Sequence, residues 1–95
     1  MQYIDVAWIH DFPDAPIRLV SELDELRLEI RKLEFYRSGI VGFASAEGAT
    51  ADTQLGVVPV PLLNEINEDQ QFKGTAMDEV AFDDLWRTHV AGREA

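Results

Sequence analysis

The chain has 95 residues, 46% of them hydrophobic, and its 18 acidic and eight basic side chains give a formal net charge of -10. This length allows one hydrophobic core, and the absence of cysteine excludes disulfides, thiolate metal sites and thiol catalysis. The negative charge opposes binding to nucleic acid or to an anionic membrane surface.

The N-terminal part of the chain has the pattern of a β-hairpin. Residues 2–10 alternate in polarity around Ile4 and Val6, which is the period of a half-buried strand. Residues 11–16 combine two prolines with two aspartates, a composition typical of turns. An extended apolar pattern resumes over 17–23 and predicts the second strand.

The segment 21–36 fits two patterns. Its leucines and isoleucine recur at helical spacing, but they also alternate with charged residues, with a phase shift after Lys32 that a β-bulge would produce. Local sequence does not decide between them. The turn around Gly39 and the β-rich run 40–45 need a neighbouring strand, and we therefore predict a strand over 26–36.

The central segments carry weaker patterns. Residues 46–54 are small and polar, without periodicity, and predict a mobile loop. The prolines in 57–61 require extended backbone, either as an edge strand or as a segment that covers the sheet. A short helix is predicted near 61–69, and residues 72–77 form a brief extended link.

The last helix, 78–91, has the clearest pattern. Asp78 is a suitable N-cap, and Phe82 and Trp86 belong to an apolar stripe wide enough to lie across a sheet. The predicted class is α+β, with this helix covering an antiparallel sheet of about four strands. The predicted strands lie near 2–10, 17–23, 26–36 and 40–45.

Titratable residues cluster most densely around His10 and Asp11, with Asp5 and Asp14 nearby. Imidazole beside carboxylate is what general base catalysis or a hard-metal site would use, but the spacing matches no such motif. We expect a structural role, in which His10 ends a strand and the aspartates stabilise the following turn. No catalytic, cofactor or metal site is predicted.

Acidic side chains concentrate around the two predicted helices, and the C-terminal half carries most of the charge excess. If the helices share a face, these residues form a surface that attracts a cationic protein; the alternative is a solvated helix face. Tyr3, Tyr36 and Phe12 are expected outside the core, as possible anchors. The predicted partner-binding residues are Glu65, Glu68, Asp69, Asp78, Glu79, Asp83 and Asp84.

Several runs resemble a bacterial domain family of about this length and of unknown function. The resemblance spans roughly residues 1–90. It is carried by Trp8-Ile9-His10-Asp11-Phe12-Pro13, by Ser21-Glu22-Leu23-Asp24 with Glu29-Ile30-Arg31-Lys32-Leu33-Glu34, by Pro59-Val60-Pro61 with Glu65-Ile66-Asn67, and by Phe82 with Trp86. It implies a strand over 26–36 but no activity.

Size, charge and this resemblance lead to a binding function rather than an enzyme. The leading hypothesis is an immunity-type inhibitor that neutralises a cognate bacterial toxin with a basic surface. The alternative is a non-toxin interaction or regulatory module, which could form a homodimer paired through residues 57–60. A small enzyme that uses His10 and Asp11 is a third hypothesis.

The expected organisation is one domain over 1–92 with a C-terminal tail, 93–95. The N-terminus has no signal peptide pattern, and no apolar run approaches the roughly 20 residues that cross a bilayer. The expected location is the cytoplasm, with no cofactor, no membrane and no nucleic acid as partner.

Overall fold

A six-stranded antiparallel sheet organises the computed structural model, which describes residues 1–91. The strands are β1 (Gln2–Trp8), β2 (Pro16–Leu23), β3 (Glu29–Tyr36), β4 (Val41–Ser45), β5 (Gly48–Ala49) and β6 (Phe72–Met77), in the order β5-β4-β3-β2-β1-β6. The helices are α1 (Leu63–Ile66) and α2 (Glu79–His89). The α+β class, the antiparallel sheet and the C-terminal helix are confirmed. The predicted tail, 93–95, lies outside the described residues.

The sheet has two more strands than the predicted four. The supposed link 72–77 is β6, which pairs with β1 along its length, from Tyr3 opposite Met77 to Trp8 opposite Phe72. The supposed loop 46–54 contains β5, whose two residues pair with the end of β4. Strand β5 is exposed, and exposure alternates along β6 only from Phe72 to Thr75, so both strands are defined mainly by backbone pairing at an edge of the sheet.

Strand β3 begins three residues later than predicted. The Asp24 carboxylate accepts hydrogen bonds from the backbone N–H groups of Leu26 and Leu28, and Arg27 has a positive φ of 63°, so this stretch is a turn. Residues 22 and 23 pair with residues 31 and 29, which leaves Ile30 as the extra residue of a bulge. The bulge was predicted after Lys32 and instead lies at Ile30, two residues earlier.

Both helices lie near their predicted positions. Asp78 caps α2 as expected, because its side chain accepts a hydrogen bond from the backbone N–H of Ala81. Helix α1 is only one turn long, shorter than the predicted 61–69. Leu62, the residue before it, is extended and provides no side-chain cap, so the preceding residues do not join the helix.

Hydrophobic residues are buried on both faces of the sheet. Successive residues of a strand point to opposite faces. Tyr3 accordingly packs with Val20 and Phe82 beneath α2, whereas Ile4 packs with Leu23 on the other face. The expectation that Tyr3 lies outside the core is wrong, since its side chain is only 8% exposed. Each face of the sheet needs a cover.

Arg31 joins α2 to the sheet. Its guanidinium donates to Glu22 at 2.6 Å and to Asp83 at 2.9 Å, and it lies over the rings of Phe82 and Trp86. These contacts connect β2, β3 and α2, and they combine charge-assisted hydrogen bonds with cation–π attraction.

The same contacts perturb the ionisation of the side chains beneath α2. Hydrogen bonds from Arg31 hold the pKa of Glu22 below its ordinary value of 4.5. Tyr3 donates its hydroxyl to Glu22 at 2.9 Å, and burial, reinforced by this bond to a carboxylate, raises the pKa of Tyr3 to about 12. The ionised form of Glu22 is therefore a stabilising part of the fold.

We expect Glu22→Gln to lower the free energy of unfolding at neutral pH by about 2–3 kcal/mol, because a buried ion pair loses one partner. The lowered pKa of Glu22 contributes stability above pH 4.5, and that contribution is lost as the pH falls through the folded-state pKa. Urea unfolding at a series of pH values measures both effects.

Glu25→Gln is the matched control, because Glu25 is exposed and makes no hydrogen bond or ion pair within residues 1–91. Its effect should stay within about 0.5 kcal/mol. Equal stability losses in the two variants, or an equal acid dependence, would contradict the role assigned to Glu22.

Candidate functional site

An open groove of about 480 Å³ lies on the sheet face opposite α2. Its volume is within the range of protein ligand sites. Apolar side chains from β1, β2, β6, α1 and the segment 57–61 form most of its walls. They are Ile4, Val6, Leu19, Val60, Ile66 and Phe72.

The first part of the cover is the proline-containing segment 57–61, held in place by Arg27. The Arg27 guanidinium donates to the carbonyls of Val60 and Pro61, both at 2.8 Å, and its own carbonyl accepts the N–H of Val60. Of the two predictions for this segment, the covering one is confirmed for Val60 and Pro61, which line the groove. Residues 57–60 belong to no strand, so the predicted homodimer has no sheet edge there.

The second part of the cover is α1, which is packed closely on β6. A Cβ atom at Gly74 would lie 2.8 Å from the end of the Leu63 side chain, so a larger residue there would require Leu63 to shift. The Asn67 side chain also bonds both backbone groups of Gly74, accepting from its N–H and donating to its carbonyl at 3.0 Å. Asn67 thus fixes the end of α1 and covers the outer edge of β6.

Three polar side chains interrupt the apolar lining: Ser21, Glu29 and Glu65. The Ser21 hydroxyl donates to Glu29 at 3.2 Å, and the Glu29 carboxylate also accepts from Lys32 and from the N–H of Gly56. Glu65, in contrast, has no side-chain hydrogen bond or ion pair within residues 1–91. The Ser21 oxygen retains capacity to accept a hydrogen bond.

The predicted partner-binding residues are divided between the two sides of the sheet. Glu65, Glu68 and Asp69 accompany α1, whereas Asp78, Glu79, Asp83 and Asp84 accompany α2. The two helices do not share a face, so these carboxylates do not form the single surface that the sequence argument required.

The α2 carboxylates also have partners inside the molecule. Asp78 caps the helix, Glu79 accepts a hydrogen bond from Tyr3 at 3.3 Å, Asp83 is paired with Arg31, and Asp84 is paired with Arg87. Only Glu65, of all the predicted residues, lines the groove.

His10 closes the loop between β1 and β2. Its Nδ1 accepts the backbone N–H of Phe12 at 2.9 Å, so its Nε2, 2.8 Å from the Pro16 carbonyl, must carry the proton that it donates. The ring also lies 4.3 Å from that of Trp8 and packs against Phe12, which is 61% exposed as expected. Both ring nitrogens thus have structural partners. Residues 1–91 contain no group of three or more ligands suited to a metal ion.

Sequence reasoning did not identify the groove. Ser21 and Glu29 are separated along the chain and were assigned to secondary structure, so no local motif distinguished them. The available signal was the covering role of residues 57–61, which implies an apolar sheet face beneath them. Those residues cover the face only in part, and the sequence does not show how much of it stays open. The groove therefore becomes visible only in the three-dimensional structure.

We expect Asn67→Ala to loosen α1 and expose the edge of β6, because two hydrogen bonds to Gly74 are lost. Amide hydrogen exchange at Gly74 should accelerate about tenfold, corresponding to roughly 1.4 kcal/mol of local stability. Asn67→Asp is the matched variant, since it keeps the acceptor but loses the donor, and it should have an intermediate effect. Unchanged exchange in both variants would contradict the role of Asn67.

Within residues 1–91, no helix is long and apolar enough to cross a membrane. Neither a curated protein nor a solved structure matches the chain. One family model matches residues 2–91, nearly the whole chain, and its extent agrees with the resemblance found in the sequence. The chain belongs to the family described as Domain of unknown function (DUF6881).

Proposed function

We propose that this chain is a protein-binding protein, and specifically an immunity-type inhibitor that occludes a cognate toxin with a basic surface. The observation that carries the proposal is the apolar groove with an unpaired carboxylate, Glu65, in its lining. Apolar contact supplies affinity, while unpaired negative charge selects a basic partner and accelerates association.

The distribution of ion pairs strengthens the attraction for a basic partner. Four of the basic side chains, Arg18, Arg31, Lys32 and Arg87, are paired with carboxylates, so their charges are locally compensated. Six carboxylates have no hydrogen bond or ion pair within residues 1–91. They are Asp11, Asp14, Glu25, Asp52, Glu65 and Glu68.

Binding accounts for these features better than catalysis does. The histidine of the enzyme hypothesis, His10, holds its own loop through both ring nitrogens, and Asp11 beside it is exposed. A base at this position would have to release the N–H of Phe12 before it could accept a proton from a substrate.

The non-toxin regulatory module remains the alternative. The absence of a strand at residues 57–60 and the Asn67 side chain at the edge of β6 argue against its proposed dimer contact. Val57 and Val58 are nevertheless 91% and 68% exposed, so this segment offers apolar surface for some other contact.

The proposal is tested by affinity capture from host cells, followed by purification of the captured protein and measurement of its Kd. We expect Glu65→Gln combined with Glu68→Gln to raise Kd by about threefold to tenfold at low salt, and less at high salt. The control is Glu47→Gln with Asp52→Asn, which makes the same change in charge. Glu47 directly precedes β5 and Asp52 follows it, at the opposite edge of the sheet.

An equal effect of the two double variants, or binding indifferent to salt, would contradict contact at the groove side. Expression of the captured protein alone should arrest bacterial growth, and co-expression of this chain should restore it. A captured protein that is harmless would refute the immunity function and favour the regulatory module.

A further inference from the structure

We propose that the groove receives a lysine side chain of the protein partner. This inference rests on the proposed function and specifies which chemical group that partner inserts. Lysine combines a flexible apolar stem of four carbons with a compact ammonium group, and the groove combines apolar walls with carboxylates.

The apolar part of the groove suits the lysine stem. Ile4 and Val6 of β1 form its floor, and Val60, Ile66 and Phe72 stand around them. The stem would displace water from these side chains, so its burial is favourable in proportion to the apolar area covered. An aspartate or a short polar side chain would gain nothing from these walls.

The charges beside the groove leave one negative charge without compensation. Lys32 lies between Glu29 and Glu34, at 3.2 and 3.9 Å, and Arg27 is bonded to backbone carbonyls. Among the described residues that line the groove only Glu29 and Glu65 are charged, and Lys32 compensates Glu29. Within residues 1–91, the charge of Glu65 is the one in the lining that has no cation beside it, so a singly positive occupant complements the groove.

The polar groups of the groove can also accept the hydrogen bonds that an ammonium group must donate. Glu65 has both carboxylate oxygens available, and Ser21, whose hydroxyl proton goes to Glu29, can still accept through its oxygen. A neutral side chain of the same shape would cover the apolar walls but would gain no attraction from the charge of Glu65.

The test uses N-acetyl-lysine-N-methylamide and the corresponding norleucine derivative, which has the same apolar stem without the ammonium group. Both are titrated into the full chain and followed by NMR amide shifts. We expect the lysine derivative to shift Ile4, Val6 and Ser21 saturably, with a Kd at least about threefold lower than that of the norleucine derivative.

Glu65→Gln should abolish the preference for lysine, because the uncompensated charge is removed. Glu25→Gln is the matched control: it makes the same charge change at an exposed carboxylate outside the groove lining, and the preference should persist. Equal affinities for the two derivatives, shifts confined to other surfaces, or an equal loss in both variants would overturn the lysine assignment.

Failure of this inference is distinguishable from failure of the proposed function. If the lysine preference is absent while partner binding still responds to Glu65 and Glu68, only the identity of the inserted side chain is wrong. If the preference is present but the captured protein is harmless, the groove keeps its specificity and the immunity function is refuted.

Discussion

Strand β1, which lies next to the edge strand β6, buries side chains on both faces, and residues 1–91 contain only one helix longer than a single turn to cover them. Tyr3 lies beneath α2, whereas Ile4 and Val6 point the other way and must be covered by something else. Segment 57–61 and the single turn of α1 provide that cover, but they do not fill the space above the sheet. The groove follows from this shortage of covering structure, because exposed apolar surface is unfavourable yet only partly removed.

Charged side chains stabilise the two covers in different ways. On the α2 side, Arg31 is bonded to carboxylates of the sheet and the helix, so the position of α2 depends on buried charge. On the groove side, Arg27 is bonded to backbone carbonyls, which fixes the covering segment without consuming a carboxylate. The carboxylate of Glu65 is consequently left available. A stable core and an attractive surface for a cation thus arise from one distribution of charges.

The distribution of acidic residues has a different meaning in three dimensions than along the chain. Clustering around the two helices indicated one acidic surface, yet the helices lie on opposite faces, and four carboxylates of α2 serve the fold. The predicted acidic residue that borders the groove is Glu65, on α1. The interpretation of His10 also differs between sequence and structure. Its position beside Asp11 is that of a general base, but both of its ring nitrogens are bonded to backbone groups of its own loop.

The sequence by itself determined the α+β class, the four inner strands to within a few residues and the capped final helix, because periodic burial and local capping are encoded by neighbouring residues. Only the tertiary structure decided the edge strands β5 and β6, the burial of Tyr3 and the groove. Pairing at an edge depends on which distant backbone arrives there, as Asn67 and Gly74 illustrate. The groove depends on the space between segments remote in sequence, and no local pattern records a volume that the chain leaves unfilled.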